Sequence, residues 1–141
     1  MSDRGLRIGQ IVVSVAGVAL AAYLTYVHYQ PAALICTTGG GCETVQQSKY
    51  AVLAGIPVAV LGLAAWTGAL VLAIWDSELA RTLLLAIALI ALAFAVYLVV
   101  LQFFVIDAVC TWCMINDLAI TPIFVVLTLL RLRTAEARAT D

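Results

Sequence analysis

The chain has 141 residues, of which 65% are hydrophobic and 11% charged, and its mean hydropathy is +1.14. A soluble domain holds roughly 45–50% apolar residues, so this composition excludes an ordinary water-soluble fold and points to a membrane protein. A formal net charge of -1 gives no reason to expect a nucleic-acid partner.

A helix rising about 1.5 Å per residue needs about 20 apolar residues to cross a hydrocarbon core of about 30 Å. Residues 8–29, 56–75, 79–104 and 113–132 each meet that need. The expected fold is therefore an all-α membrane protein, a four-transmembrane-helix bundle that takes up residues 1–141 as a single domain. Arg4 and Arg7 precede the first stretch, and a cleaved signal peptide is the rival reading of this end. The apolar run, however, continues through Tyr23, Leu24, Tyr26 and Tyr29, whose rings suit an aromatic belt at the outer interface. His28, among them, reads as a wet interfacial side chain.

Residues 31–55 form the first outer loop, with Pro31, Cys36, Gly39-Gly40-Gly41 and Cys42 in order. Residues 43–50 lack both a long apolar run and turn residues, and a short partial helix over the mouth of the bundle is expected there. Gly55 suits a bend and Pro57 the first turn of the second span. The turn Trp75-Asp76-Ser77-Glu78 leads to the third span, on which Tyr97 and Gln102 are expected to face the bundle. A link over residues 105–112 then reaches Cys110-Thr111-Trp112-Cys113, where the fourth span begins.

Basic residues are retained on the cytoplasmic side of short loops. Arg4, Arg7, Arg81, Arg131, Arg133 and Arg138 share one side of a four-span arrangement, and only Lys49 falls on the other. Both termini are therefore expected to be cytoplasmic, and all four cysteines to lie at the outer face.

Cysteines three apart on a helix share a face, with Cβ atoms about 5–6 Å apart, so Cys110 and Cys113 can close a disulfide with modest adjustment. A helix start also favours a thiolate, the attacking or leaving species in disulfide exchange. Cys36 and Cys42 are too far apart in sequence for one helix face and require a bent loop, for which the glycine triplet supplies a permissive backbone. That loop can close its own disulfide, or open so that one cysteine reaches Cys110 and the other an outside partner; the expected order has Cys36 meeting Cys110 and Cys42 the partner. A static structural bridge and a four-cysteine zinc site are the rivals. An oxidising outer face disfavours four stable thiolates, so no metal is expected.

These motifs resemble the bacterial homologues of vitamin K epoxide reductase. The resemblance is carried by Cys36, Gly41-Cys42-Glu43-Thr44-Val45, Ser48-Lys49-Tyr50-Ala51 and Gly55-Ile56-Pro57-Val58-Ala59-Val60-Leu61-Gly62. It continues through Val96-Tyr97-Leu98, Phe103-Phe104-Val105 and Cys110-Thr111-Trp112-Cys113. The loop pair comes first and the Cys-x-x-Cys last, an order that separates it from the other quinone-linked thiol oxidases. The resemblance implies a quinone of the ubiquinone, menaquinone or phylloquinone type inside the bundle. It implies an active-site disulfide Cys110/Cys113 with Cys113 nearest the quinone, a shuttle pair Cys36/Cys42, and Ser48 near the quinone. Many bacterial members carry a fused thioredoxin-like domain; this chain ends at Asp141, so a thioredoxin-like, DsbA-type partner is expected to act in trans.

Where the animal enzymes have a tyrosine that contacts the quinone, this chain has Asp117, which argues against vitamin K epoxide chemistry. An acid inside a span is costly, and function is the default suspicion. Asp117 stands one turn below Cys113 and is expected either to relay a proton to the quinone or to bond a neighbour such as Thr121. Trp112 can stack on a quinone ring or sit at the interface.

The expected activity is a quinone-linked thiol-disulfide oxidoreductase of the inner (cytoplasmic) membrane, its cysteines facing the periplasm or outside. It oxidises its partner and so supports extracytoplasmic disulfide formation. The alternative is a non-enzymatic membrane scaffold with structural disulfides.

Overall fold

The computed structural model describes residues 2–36 and 41–141. Gly39 and Gly40, expected to loosen the loop, lie outside the described residues. Four helical runs are long and apolar enough to cross a membrane: Asp3–Tyr29, Val58–Trp75, Glu78–Val105 and Thr111–Thr140. This is the expected four-helix membrane bundle.

Helix α1 (Asp3–Tyr29) starts where the Ser2 hydroxyl accepts from the Gly5 N–H and Asp3 stands in the first turn, both favourable at a helix N-terminus. The outer loop holds α2 (Gly41–Gln46), the partial helix expected there, followed by a 3-10 turn at Lys49–Ala51. Strands β1 (Val52–Leu53) and β2 (Ile56–Pro57) then pair antiparallel, Val52 opposite Pro57, around a bend in which Ala54 and Gly55 both have positive φ. Pro57 was expected in the first helical turn, but it stands one position ahead of it. Its ψ of 135° is extended, and α3 (Val58–Trp75) begins at the next residue.

The turn after α3 reverses the chain through Asp76 at φ 53°, and Ser77 caps α4 (Glu78–Val100) by accepting from the Ala80 N–H. A π-helical stretch, Leu101–Val105, continues α4. The fourth span is one run built of α5 (Thr111–Ile115), a second π-helical stretch (Asn116–Ile120) and α6 (Thr121–Thr140). π-Helical turns inside α-helices recur at functional sites, and both of these border the cysteines.

α1 packs on α3 and α6, and α4 packs on α3 and α6. Lipid supplies little hydrophobic drive for helices to associate, so close approach depends on small residues. The core follows that rule: Ala21, Ala69, Ala73 and Ala88 surround Trp66, Leu84, Phe124 and Val125. Trp66 meets Phe124 edge-on at 5.3 Å between ring centroids. A Cβ at Gly17 would collide with the Trp66 ring, so glycine is what lets α1 lie against it. Many other apolar side chains face outward, with Phe104 83% and Ile90 71% exposed, as a lipid-facing surface requires. Tyr97, expected to face the bundle, is exposed instead and packs against Phe94.

The end of the bundle away from the cysteines is tied by charge. Arg131, 1% exposed, donates to Asp3 at 3.2 Å, to Gln10 at 2.7 Å and to Asp76. Arg81 donates to Asp76 at 3.0 Å, and Arg7 donates to the carbonyls of Ala73 and Ile74. Partial burial pushes the Asp76 carboxyl up, but Arg81, Arg131 and Arg7 outweigh it and hold Asp76 below the usual carboxylate range.

Candidate active site

The cysteine end is assembled from three segments that no local pattern brings together. Cys36 and Cys42 are joined as a disulfide, with Cα atoms 6.1 Å apart. Cys110 and Cys113 are free thiols. Cys110 caps the fourth span: its Sγ accepts from the Cys113 N–H at 3.3 Å, and its own N–H donates to Gln102 Oε1 at 2.8 Å. Gln102 comes from the π-helical stretch that ends the third span, so the expectation that it faces the bundle holds. A hydrogen bond from the Cys113 thiol, set against burial, holds the Cys110 thiol below its ordinary value.

Cys42 is fully buried, whereas Cys36 is only partly so. The reason is Gly41, where a Cβ would collide with the Val109 carbonyl. That contact seats α2 against the residue before Cys110. Cys42, expected to face the partner, is thus the more buried of the two.

Beneath the cysteines lies a cavity of about 440 Å³, lined mainly by apolar side chains of α3 and α4 such as Leu61, Ile87, Ala91 and Phe94. Its polar lining gathers around the fourth span and the outer loop: Gln46, Ser48, Cys113, Asn116, Asp117 and Thr121. Gln46 Nε2 lies 3.6 Å from Cys113 Sγ as a donor. The Ser48 hydroxyl donates to the Val45 carbonyl at 2.8 Å and keeps its lone pairs free to accept. Trp66 Nε1 donates to Asn116 Oδ1 at 3.0 Å, and Asn116 Nδ2 donates to Asp117 Oδ1 at 3.0 Å. Asp117, 4% exposed, has no partner for Oδ2. Its bonded neighbour is thus Asn116 rather than Thr121.

Trp112 is not among the residues lining the cavity. Its indole N–H donates to the Ile35 carbonyl at 2.6 Å, and its ring meets Tyr23 edge-on at 5.4 Å. The Tyr23 hydroxyl in turn accepts from the Ile35 N–H at 2.9 Å. His28 packs edge-on against Tyr29. Among the described residues no group of three or more His, Cys, Asp or Glu side chains is placed to hold a metal ion.

One thiol of the Cys-x-x-Cys, Cys113, thus lines a largely apolar cavity. A family model described as the vitamin K epoxide reductase family matches residues 10–128. The chain belongs to that family. It is a multi-pass membrane oxidoreductase, and the family links thiol chemistry to a quinone. Gln46, Asn116 and Trp66 were not singled out in the sequence. The available signals were weak: two amides beside better-known residues, and a tryptophan at mid-helix where Trp75 and Trp112 stand at helix ends.

Proposed function

We propose that this vitamin K epoxide reductase homologue is a thiol:quinone oxidoreductase that oxidises a thioredoxin-like partner and so drives disulfide formation outside the cytoplasm. The observation that carries this reading is Cys113: its residue lines the cavity, and its N–H donates to the Sγ of Cys110, the other free thiol. The arginine distribution supports cytoplasmic termini and an outward-facing cysteine end in the inner membrane.

A partner dithiol attacks the Cys36–Cys42 disulfide at its more exposed sulfur, Cys36, and leaves oxidised. The reduced loop pair is reoxidised when Cys42 exchanges with a Cys110–Cys113 disulfide. Closing Cys110 and Cys113 again sends two electrons to a quinone, which takes up two protons to become quinol, while the two thiol protons are released separately.

The cavity fits the substrate. Ligand pockets run to about 300–1,000 Å³, and this one is apolar where a ring and an isoprenoid tail need burial and polar where two carbonyls need partners. Ser48 and Gln46 are placed to bind the head group, and Asp117 to deliver a proton. Trp112 holds the loop rather than the ring.

The test is purified protein with a quinone and a reduced thioredoxin-like protein, followed by quinone absorbance. Reduction that disappears in Cys110→Ser and Cys113→Ser supports the reading. No reduction in the wild type, or cysteines whose oxidation state ignores added quinol, favours the scaffold alternative.

A further inference from the structure

The bundle interior carries polar side chains that neither the thiol exchange nor the packing explains. On the fourth span the inward face reads Asp117, Thr121, Phe124, Thr128, Arg131, all buried, in steps of three and four residues that keep one face of a helix. On α1 the inward face reads Gln10, Ser14, Gly17, Ala21, also buried. The two helices run antiparallel and their register is set by Gln10, whose Nε2 donates to Thr128 Oγ1 at 3.0 Å. One turn further along α1, Ser14 comes level with Phe124. The hydroxyl on one helix therefore stands where the other helix lacks a polar group.

Together these residues make a ladder from the charged end to the cavity. Arg131 bonds Gln10, Gln10 bonds Thr128, and Ser14, Thr121 and Asp117 follow. From Arg131 to Asp117 it spans about 21 Å at about 1.5 Å per residue, most of a hydrocarbon core of about 30 Å. Successive rungs one turn apart are separated by about 5–6 Å, the distance one water bridges with a hydrogen bond on each side.

Two buried polar atoms among the described residues have no partner, Ser14 Oγ and Asp117 Oδ2. Both belong to this ladder, on the stretch where no protein bond links one rung to the next. A hydroxyl and a carboxyl left unpaired in a membrane interior are costly, and a water between rungs offsets that cost. At the mouth, the guanidiniums of Arg131, Arg81 and Arg7 share the carboxylates of Asp3 and Asp76, so most of the positive charge there is offset.

Resting on the quinone reading above, we infer that protons for quinone reduction enter from the end of the bundle opposite the cysteines, along Gln10, Thr128, Ser14 and Thr121 to Asp117. Oxidation of the partner dithiol releases two protons at the cysteine end. The quinone takes two electrons from Cys110/Cys113 and two protons from the other end to leave as quinol. Each turnover then moves charge across the membrane, a further activity beyond disulfide exchange.

The experiment uses the full chain in proteoliposomes with a pH dye inside, potassium and valinomycin to clamp the potential, ubiquinone in the bilayer, and reduced thioredoxin-like protein added outside only. Only molecules with the cysteine end outward turn over. The expected result is luminal alkalinisation in step with quinol, two protons for each. Ser14→Val, which removes the hydroxyl, slows both signals about tenfold together, and Ser14→Thr, which keeps it, restores them. Quinol formed with no luminal pH change overturns the inference and leaves the oxidoreductase reading intact. Ser14→Val turning over like the wild type removes Ser14 from the path and overturns it as well. Absence of quinol in the wild type sinks the oxidoreductase reading itself and this inference with it.

Discussion

Trp112, between the two cysteines of the Cys-x-x-Cys, donates its indole N–H to the carbonyl of Ile35, the residue before Cys36. The two redox pairs are thereby coupled by a hydrogen bond as well as by chemistry. Tyr23 grips the same residue from its N–H side. Releasing this grip frees the loop segment that carries Cys36.

Trp112→Phe keeps the ring contact with Tyr23 and deletes the donor. A hydrogen bond of this kind contributes about 1 kcal/mol net, so oxidation of the partner is expected to slow about fivefold. The KM for quinone stays at the wild-type value, because the indole does not line the cavity. Stopped-flow with reduced partner and a quinone titration checks both; a raised KM for quinone with normal partner oxidation refutes the latch.

Gln46→Leu removes the amide that faces Cys113 Sγ. Hydrogen bonds to charged groups contribute about 1.5–3 kcal/mol, so transfer from Cys113 to quinone is expected to fall at least tenfold. Exchange between the partner and Cys36–Cys42 continues. Gln46→Asn, a shorter amide, recovers part of the loss. Quench-flow trapping of free thiols separates the two steps.

Asp117→Asn keeps the volume and the bond to Asn116 but carries no transferable proton. Quinol formation is expected to slow at least about a hundredfold, within the 10²–10⁴ range of general acid catalysis, and its pH profile to flatten. Thiol transfer from Cys36/Cys42 to Cys110/Cys113 proceeds as before. Unchanged quinone kinetics across pH removes Asp117 from the proton chemistry.

The charged end sets an acid limit on stability. Asp76 is held below its ordinary value of 3.8 by Arg81, Arg131 and Arg7 despite the opposing effect of burial. A carboxyl whose folded pKa is depressed contributes its full stabilisation above the unfolded value and loses it as pH falls through the folded one. Thermal melts in detergent are expected to be flat near neutral pH and to fall below about pH 4, with a weaker fall in Asp76→Asn. Arg131→Leu leaves Asp3 and Asp76 to Arg81 and Arg7 and strips the buried Gln10 Oε1 of its donor, and is expected to cost about 1–3 kcal/mol at neutral pH. A melt unmoved by Arg131→Leu shows that the ion cluster is not holding the helices.

Span number, the bent loop between Cys36 and Cys42 and the partial helix were legible in the sequence because each depends on local composition. Twenty apolar residues cross a bilayer whatever their neighbours, and cysteines six residues apart in sequence need only a bent chain to meet. The turn at Asp76 was legible for the same reason, but its ionic partners were not. Arg131 reaches it from 55 positions away, and no window of sequence contains that distance. Tyr97 faced outward against expectation because a lipid-exposed surface accepts an aromatic ring as readily as a core does.

What the sequence by itself determined is a four-span membrane protein whose cysteines gather at one end, because hydropathy and charge act through the nearest few residues. Which cysteine is buried, which polar side chains line the cavity, and what the Trp112 indole bonds were decided only by the tertiary structure. Those outcomes depend on close approaches between distant segments, Gly41 on Val109 and Gly17 on Trp66. Van der Waals contact selects them at a precision of tenths of an ångström, far finer than the apolar and polar pattern encodes.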